Sequence, residues 1–540
     1  MQQQYTANMS LEEQIGQLIG AGFPTTTPTP EIIDLIQNRH IGSIVLFARN
    51  IQSPQQVSEL TQSLQKIARE AGHRYPLLIS VDQENGMVQR MGDGVPAFPG
   101  NMALGAVGDE QLVYEVALAT GRNLRSLGLN VNLAPVVDVN NNPSNPVIGV
   151  RSFGEDPQRV AQFAAAAVRG YREAGVVSTL KHFPGHGDTA VDSHLSLPVV
   201  PHDLERLESL ELLPFRRGIA AGANSVMIAH LYLPQLMQQE MTPSSISPEI
   251  IRGLLRERLG FGGVITTDCL EMEAVSKTIG TERAAMLAIK AGLDIALISH
   301  TYARQTGGID AIKAAVQDGS LSEDVVRQAA ERVLSLKARM LSWEAPQPLS
   351  GETLRQHQQL GTSAYERSTT LVRNDEGLLP LHLRPEQRLL LVFPQPTSYT
   401  LAVDKFMLNA VFEETIRRRH GQVSAIAIST KAGQGAYERL DRALQEADVV
   451  ITVTINVNID PQQAEIVKRI LGCGRPTIGI AAYNPYDLLS FQQLQTYLAT
   501  YECTPSALEA VARVIFGEIR AQGHLPVSLP GLYEVGHGIE

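Results

Sequence analysis

The chain has 540 residues, 44% hydrophobic and 19% charged, which is the make-up of an ordinary globular protein and excludes a disordered or fibrous one. A formal net charge of -11 argues against nucleic acid or an anionic membrane as the main partner, because both are held by clustered Lys and Arg, although a local basic pocket stays open. No stretch reaches the roughly 18 apolar residues of a membrane span, and the first residues, MQQQYTANMSLEEQIGQLIG, lack a basic and apolar leader. With Cys269, Cys473 and Cys503 too few and too scattered for a disulfide framework, the expectation is a cytoplasmic protein of unknown oligomeric state.

In chain order, Ser10 and Glu13 form a capping-box pattern that starts a first helix. Short apolar runs of strand type then alternate with helical patterns. They lie near 18–23 and at 44–47, 77–81, 131–137, 176–180, 226–229, 264–267 and 295–299. Eight such runs predict an N-terminal (β/α)8 barrel over 1–343, whose site would sit where the strands end. Several runs do end in polar residues, among them Asp82, Asp138, Lys181 with His182, His230, Asp268 and His300.

After the only tryptophan, Trp343, the Pro-containing text EAPQPLSG predicts a linker over 344–352. A helix near 354–368 and five strand-like runs at 389–393, 423–428, 449–453, 478–482 and 497–501 then predict a smaller αβα sandwich over 353–540. Gly433 and Gly435 there lack the third glycine of a dinucleotide fingerprint, since Glu438 takes its place.

The densest chemistry is in STLKHFPGHGDTAVDSHLSLP, residues 178–198. Lys181, His182, His186, Asp188, Asp192 and His194 place six ionisable groups within fourteen residues behind a barrel strand. Two chemistries fit. The His and Asp side chains could hold a transition metal, although no helical metal pair is present. Alternatively, Asp192 and His194 form a dyad in which the carboxylate orients the imidazole and supports its charged form. In GFGGVITTDCLEME, Asp268 closes an apolar strand and is either a helix N-cap with Glu271 or a nucleophile at the barrel mouth.

KHFPGHGDT followed by DSH, together with GVITTD, VDQE, VIGVRSFGEDP and FGEIRAQGHLPVSLP, resembles the family 3 glycoside hydrolases. The DSH element resembles their branch of bacterial N-acetyl-β-glucosaminidases that recycle cell-wall fragments. The resemblance implies a retaining exo-β-N-acetylglucosaminidase that removes terminal β-linked N-acetylglucosamine from peptidoglycan or chitin fragments; with no recognisable metal motif in the sequence, no metal or cofactor is expected. It assigns Asp268 as nucleophile, His194 as acid/base and Asp192 as its partner. Sugar hydroxyls would be held by Asp82, Arg90, Arg151, Lys181 and His182. The chain departs from the pattern at Asn85 and Met87, where a glycine and an arginine are usual, which bears on the substrate site.

Arg90 and Arg151 could instead pair with carboxylates such as Glu84 or Glu155. Three alternatives stay open: a β-N-acetylglucosaminide phosphorylase, a β-glucosidase or β-xylosidase of the same family, and a metal-dependent amidohydrolase on a similar barrel. The expected partners are saccharides containing N-acetylglucosamine.

Overall fold

The computed structural model describes residues 5–193, 196–395, 408–429, 431 and 433–539. His194, the expected acid/base, lies outside them.

Eight parallel strands form the first sheet: β1 (Ile19–Ala21), β2 (Ser43–Leu46), β3 (Leu78–Val81), β4 (Val131–Asn132), β5 (Val177–Phe183), β6 (Ser225–Ile228), β7 (Val264–Thr267) and β8 (Ala296–Ile298). Each pairs with its sequence neighbour from β1 to β7, and β8 pairs with β1. A parallel bridge between Thr266 and Ile295 closes the ring. A parallel strand leaves no face for water, so these runs are apolar and almost wholly buried.

The helices around the ring follow local rules. Ser10 accepts from Glu13 N while Glu13 accepts from Ser10 N, the reciprocal cap expected from sequence. Helix Pro157–Ala174 starts with Asp156 as N-cap and proline in its first turn, and ends at the left-handed Gly175. Its apolar face, including Val160, Phe163, Ala164, Val168 and Tyr171, is buried. At about 1.5–3 kcal/mol for each large apolar side chain, that face dominates the helix's stability over intrinsic propensity. It packs closely on helix Glu110–Ser126 because Gly170 faces Tyr114 O and Gly121 faces Ala174, where a Cβ would come within 2.5 Å in both cases.

The last barrel helix, Glu323–Met340, is followed by an irregular stretch and then by helix Gly351–Ser368. That helix lies against the barrel's flank, with His357 Nδ1 2.8 Å from Asn123 Oδ1.

The second sheet comprises β9 (Thr370–Asn374), β10 (Leu389–Gln395), β11 (Val423–Ser429), β12 (Val449–Thr454), β13 (Thr477–Ala481) and β14 (Thr496–Ala499). Their order is β9-β14-β13-β12-β10-β11, with β9 antiparallel and the rest parallel. Leu440, Leu444, Ile466 and Ile470 from two helices cover one face. Phe412, Ile416, Leu508 and Val511 from two others cover the opposite face. The result is a helix–sheet–helix sandwich beside a barrel.

Candidate active site

A cavity of about 350 Å³ opens at the C-terminal ends of the barrel strands. That volume is at the lower end of the range for small-ligand sites. Asp82, Glu84, Arg90, Arg151, Lys181, His182, His186, Ser193 and Asp268 line it, joined at the rim by Phe47, Met272 and His300. Six of the eight residues expected to touch substrate or react are therefore in one cavity. Asp192 is buried next to the lining residue Ser193, and the position of His194 is not described.

Barrel ends position these groups directly. Asp82 follows β3, Lys181 and His182 are in β5, and Asp268 follows β7, with its N–H donating to Ile228 O at 2.9 Å. Asp268 does not start a helix. Its Oδ1 accepts from Cys269 N at 2.7 Å, the next helix begins at Glu273 with Met272 as N-cap, and Glu271 accepts from His300 N instead. The capping alternative is thus not realised.

Charge is arranged around Glu84. Lys181 Nζ lies 2.6 Å from both Asp82 Oδ1 and Glu84 Oε1, and Arg151 donates to Glu84 through Nε at 2.8 Å and Nη2 at 2.7 Å. Burial alone would push the Glu84 carboxyl up. The adjacent Arg151 and Lys181 outweigh it and hold the group well below the usual carboxylate range. Burial likewise pulls Lys181 down, but Asp82 and Glu84 raise it above the ordinary lysine value, so it stays charged. Asp82, less buried than the rest, is the member of this network that faces the opening.

His182 has a defined tautomer. Its Nε2 lies 3.2 Å from Arg151 Nη2, which can only donate, so Nε2 accepts and Nδ1–H donates to Asp138 Oδ2 at 2.7 Å. Asp138 also accepts from the backbone N–H groups of His182 and His186. His186 is pushed down to about 4 by burial and the neighbouring His182. Its ring contacts Thr189 Oγ1 at 2.7 Å and Ser193 Oγ at 3.0 Å, tying the loop that carries Asp192.

Asp188 points away from the cavity to His202 Nε2 at 2.7 Å, and Arg206 bridges it to Glu211. Among the described residues, two groups have the spacing to hold a metal ion: Asp188 with His202 and Glu211, and Cys269 with Glu271 and His300. Neither includes Asp192 or Asp268.

Sequence reasoning named Glu84 only as a competing partner and Asp138 only as a polar strand end. The signal for Glu84 was its place two residues after Asp82, on the hairpin Gln83–Asn85 with Val88–Gln89. Asn85 has φ 69° and Gly86 φ 59°, conformations that asparagine and glycine tolerate best, so Asn85 fits in place of a glycine. Met87 is buried among second-domain side chains, with its sulfur 3.7 Å from Cys503 Sγ. The departure at 87 therefore falls on the domain interface and not on the cavity lining.

The second domain braces the loops after β3 and β4 from outside. Asn140 donates to Tyr486 Oη at 3.1 Å, Asn458 to Pro143 O at 3.4 Å, and Gly100 N–H to Glu502 Oε1 at 3.1 Å. Glu155 accepts from the N–H and hydroxyl of Ser528, so it is Glu84 that takes Arg151.

Comparison with known proteins agrees with this architecture. The glycosyl hydrolase family 3 N-terminal domain matches residues 10–336, and the family 3 C-terminal domain matches residues 369–534. Beta-hexosaminidase A of Pseudoalteromonas piscicida is 31% identical over 93% of this chain and 92% of its own length. A family 3 beta-N-acetylglucosaminidase from Paenibacillus sp. str. FPU-7 superposes with a TM-score of 0.89 at 39% identity, covering 96% of this chain and 99% of that one. A fungal multi-domain family 3 beta-N-acetylglucosaminidase gives a TM-score of 0.92 at 44% identity over 97% of this chain, which spans 62% of that protein's length. The chain belongs to glycosyl hydrolase family 3.

Proposed function

We propose that the protein is a retaining exo-β-N-acetylglucosaminidase that releases terminal β-linked N-acetylglucosamine from peptidoglycan or chitin fragments in the cytoplasm, as part of cell-wall recycling. The observation that carries this reading is the cavity in which a strand-end carboxylate, Asp268, faces a charged rim of Asp82, Arg90, Arg151, Lys181 and His182. Two nearly full-length similar proteins, one named a beta-hexosaminidase and the other a beta-N-acetylglucosaminidase, support the substrate class. The division into a barrel at 1–343, a linker at 344–352 and a sandwich at 353–540 is part of the same proposal. Among the described residues no helix is long and apolar enough to cross a membrane.

In this mechanism the Asp268 carboxylate attacks the anomeric carbon and forms a glycosyl ester. His194, oriented by Asp192, protonates the leaving oxygen and then takes a proton from the incoming water. Asp82, Arg90, Arg151 and Lys181 hold the sugar hydroxyls by charge-assisted hydrogen bonds, and His182, whose ring nitrogens meet Arg151 and Asp138, completes the same sugar-binding wall and fixes Arg151 in place.

The test compares nitrophenyl β-N-acetylglucosaminide with the β-glucoside and β-xyloside, each with and without phosphate. The N-acetylglucosaminide should be the best substrate, with a rate that does not need phosphate. Asp268→Ala should lose nearly all turnover while folding normally. An equally active Asp268→Ala chain, or an inverted first-formed anomer, would overturn the nucleophile.

A further inference from the structure

A cavity of about 500 Å³ lies at the other end of the barrel, where Gly128–Asn130 lead into β4 and Gly175 leads into β5. It shares no lining residue with the cavity at the strand C-termini. One wall is helix Pro54–Glu70 with Lys66 and Arg69, the facing wall is the end of helix Glu110–Ser126 with Arg122 and Arg125, and the third side is closed by Trp343 and the linker residues Pro346 and Leu349.

Four cations meet one carboxylate, Glu344, in this lining, although the whole chain carries a net charge of -11. Two of the cations are accounted for, since Lys66 lies 3.8 Å from Glu70 and Arg125 donates to Ala174 O. Arg69 and Arg122 form no ion pair among the described residues, and the Arg69 guanidinium lies 5.9 Å from the Trp343 ring centre. Helix dipoles favour a cation in each last turn and so account for Arg69 and Arg125. Arg122 sits a full turn earlier and faces the same space.

A cavity of this volume with aromatic and aliphatic walls and guanidinium groups in its lining has the make-up of a small-ligand site. We propose that it binds a small organic anion: a flat apolar ring, seated against Trp343, that carries a phosphate, sulfonate or carboxylate between Arg69 and Arg122. Guanidinium groups pair with such oxyanions through two parallel hydrogen bonds, and the aromatic wall takes the apolar body.

Trp343 is the only tryptophan, so its fluorescence reports on this cavity alone. The full chain is titrated with phenyl phosphate by tryptophan fluorescence and, in parallel, by calorimetry. A saturable signal is expected, with phenol and inorganic phosphate each at least about tenfold weaker than the joined molecule. Arg69→Ala combined with Arg122→Ala, both at exposed positions, should raise the Kd at least about tenfold. Absence of saturable heat, or a Kd unchanged in the double variant, would overturn the proposal.

Discussion

Glu84 ties two cations of the site together, because its single buried carboxylate takes both Arg151 and Lys181. Removing one partner of a buried ion pair leaves the other charge without compensation and costs about 3–5 kcal/mol. Glu84→Gln keeps the shape but leaves Lys181 with Asp82, and Arg151 with Asp138 and Asp82, as the remaining carboxylates. Its thermal stability should fall by about 3 kcal/mol, at the low end of that range, and kcat/KM should fall with it as Arg151 and Lys181 lose their positions. Calorimetric melting and nitrophenyl-glycoside kinetics on the same preparation check both; an unchanged melt would show that water replaces the lost charge. Asp82, Lys181, His182 and Asp268 were legible because each ends a barrel strand or directly follows one, where a barrel must converge, whereas Arg90 and Arg151 lie farther along the loops and were named only through the resemblance to the family. Glu84 was not legible, because a carboxylate two positions after Asp82 has the pattern of an ordinary hairpin residue until the tertiary fold brings Arg151 to it.

Loops decide what the strands can present. The segment from His186 to Ser193 is tied from behind by Arg206, which reaches Asp188 at 3.6 Å and Glu211 at 3.2 Å and, with the Asn141 amide turned to the orientation that satisfies both its ends, the Asn141 oxygen at 2.6 Å. It thus links the Asp192 loop to the loop that leads to Arg151. Glu211 is buried, which raises its pKa, and Arg206 opposes the rise. Arg206→Ala should lower kcat/KM about tenfold, the equivalent of one charge-assisted hydrogen bond, and speed proteolytic cleavage within 186–193. Equal cleavage rates in both chains would show that the loop is held by other bonds. Strands were the legible elements: the run at 264–267 coincides with β7, and most others agree within one or two residues. The run at 131–137 shortens to Val131–Asn132, because Pro135 has no N–H for the ladder and only Val136 pairs again, with Lys181. β9 was missed because its pairing is with β14, more than a hundred residues on, and its sequence TLVRN shows no period.

At the scale of the whole molecule the second domain acts as a brace, and its titration should be felt where it meets the barrel. Asp487 is fully buried in the turn that also presents Tyr486 to Asn140, and burial pushes it from an ordinary 3.8 up to about 7, although Val457 N–H donates to it at 2.8 Å. A carboxyl raised on folding is still protonated in the folded chain when the unfolded chain has already ionised. Between about pH 4 and 7 the unfolded state therefore binds fewer protons, and the stability tied to this group falls as pH rises, by at most ~1.4 kcal/mol per pH unit. His73 and His186, both pushed down to about 4 mainly by burial, act with the opposite sign over part of the same window, so absolute stability does not isolate the effect. The difference between two chains does. Asp487→Asn keeps the acceptor for Val457 N–H and cannot ionise, so it should gain on the parent chain steadily from about pH 4 to 7 and then level off. Urea unfolding of both chains across that range, followed through second-domain helicity, measures the difference directly. A difference that stays constant with pH would mean that Asp487 ionises in the folded chain as it does in the unfolded one, with water or Thr454 reaching its second oxygen.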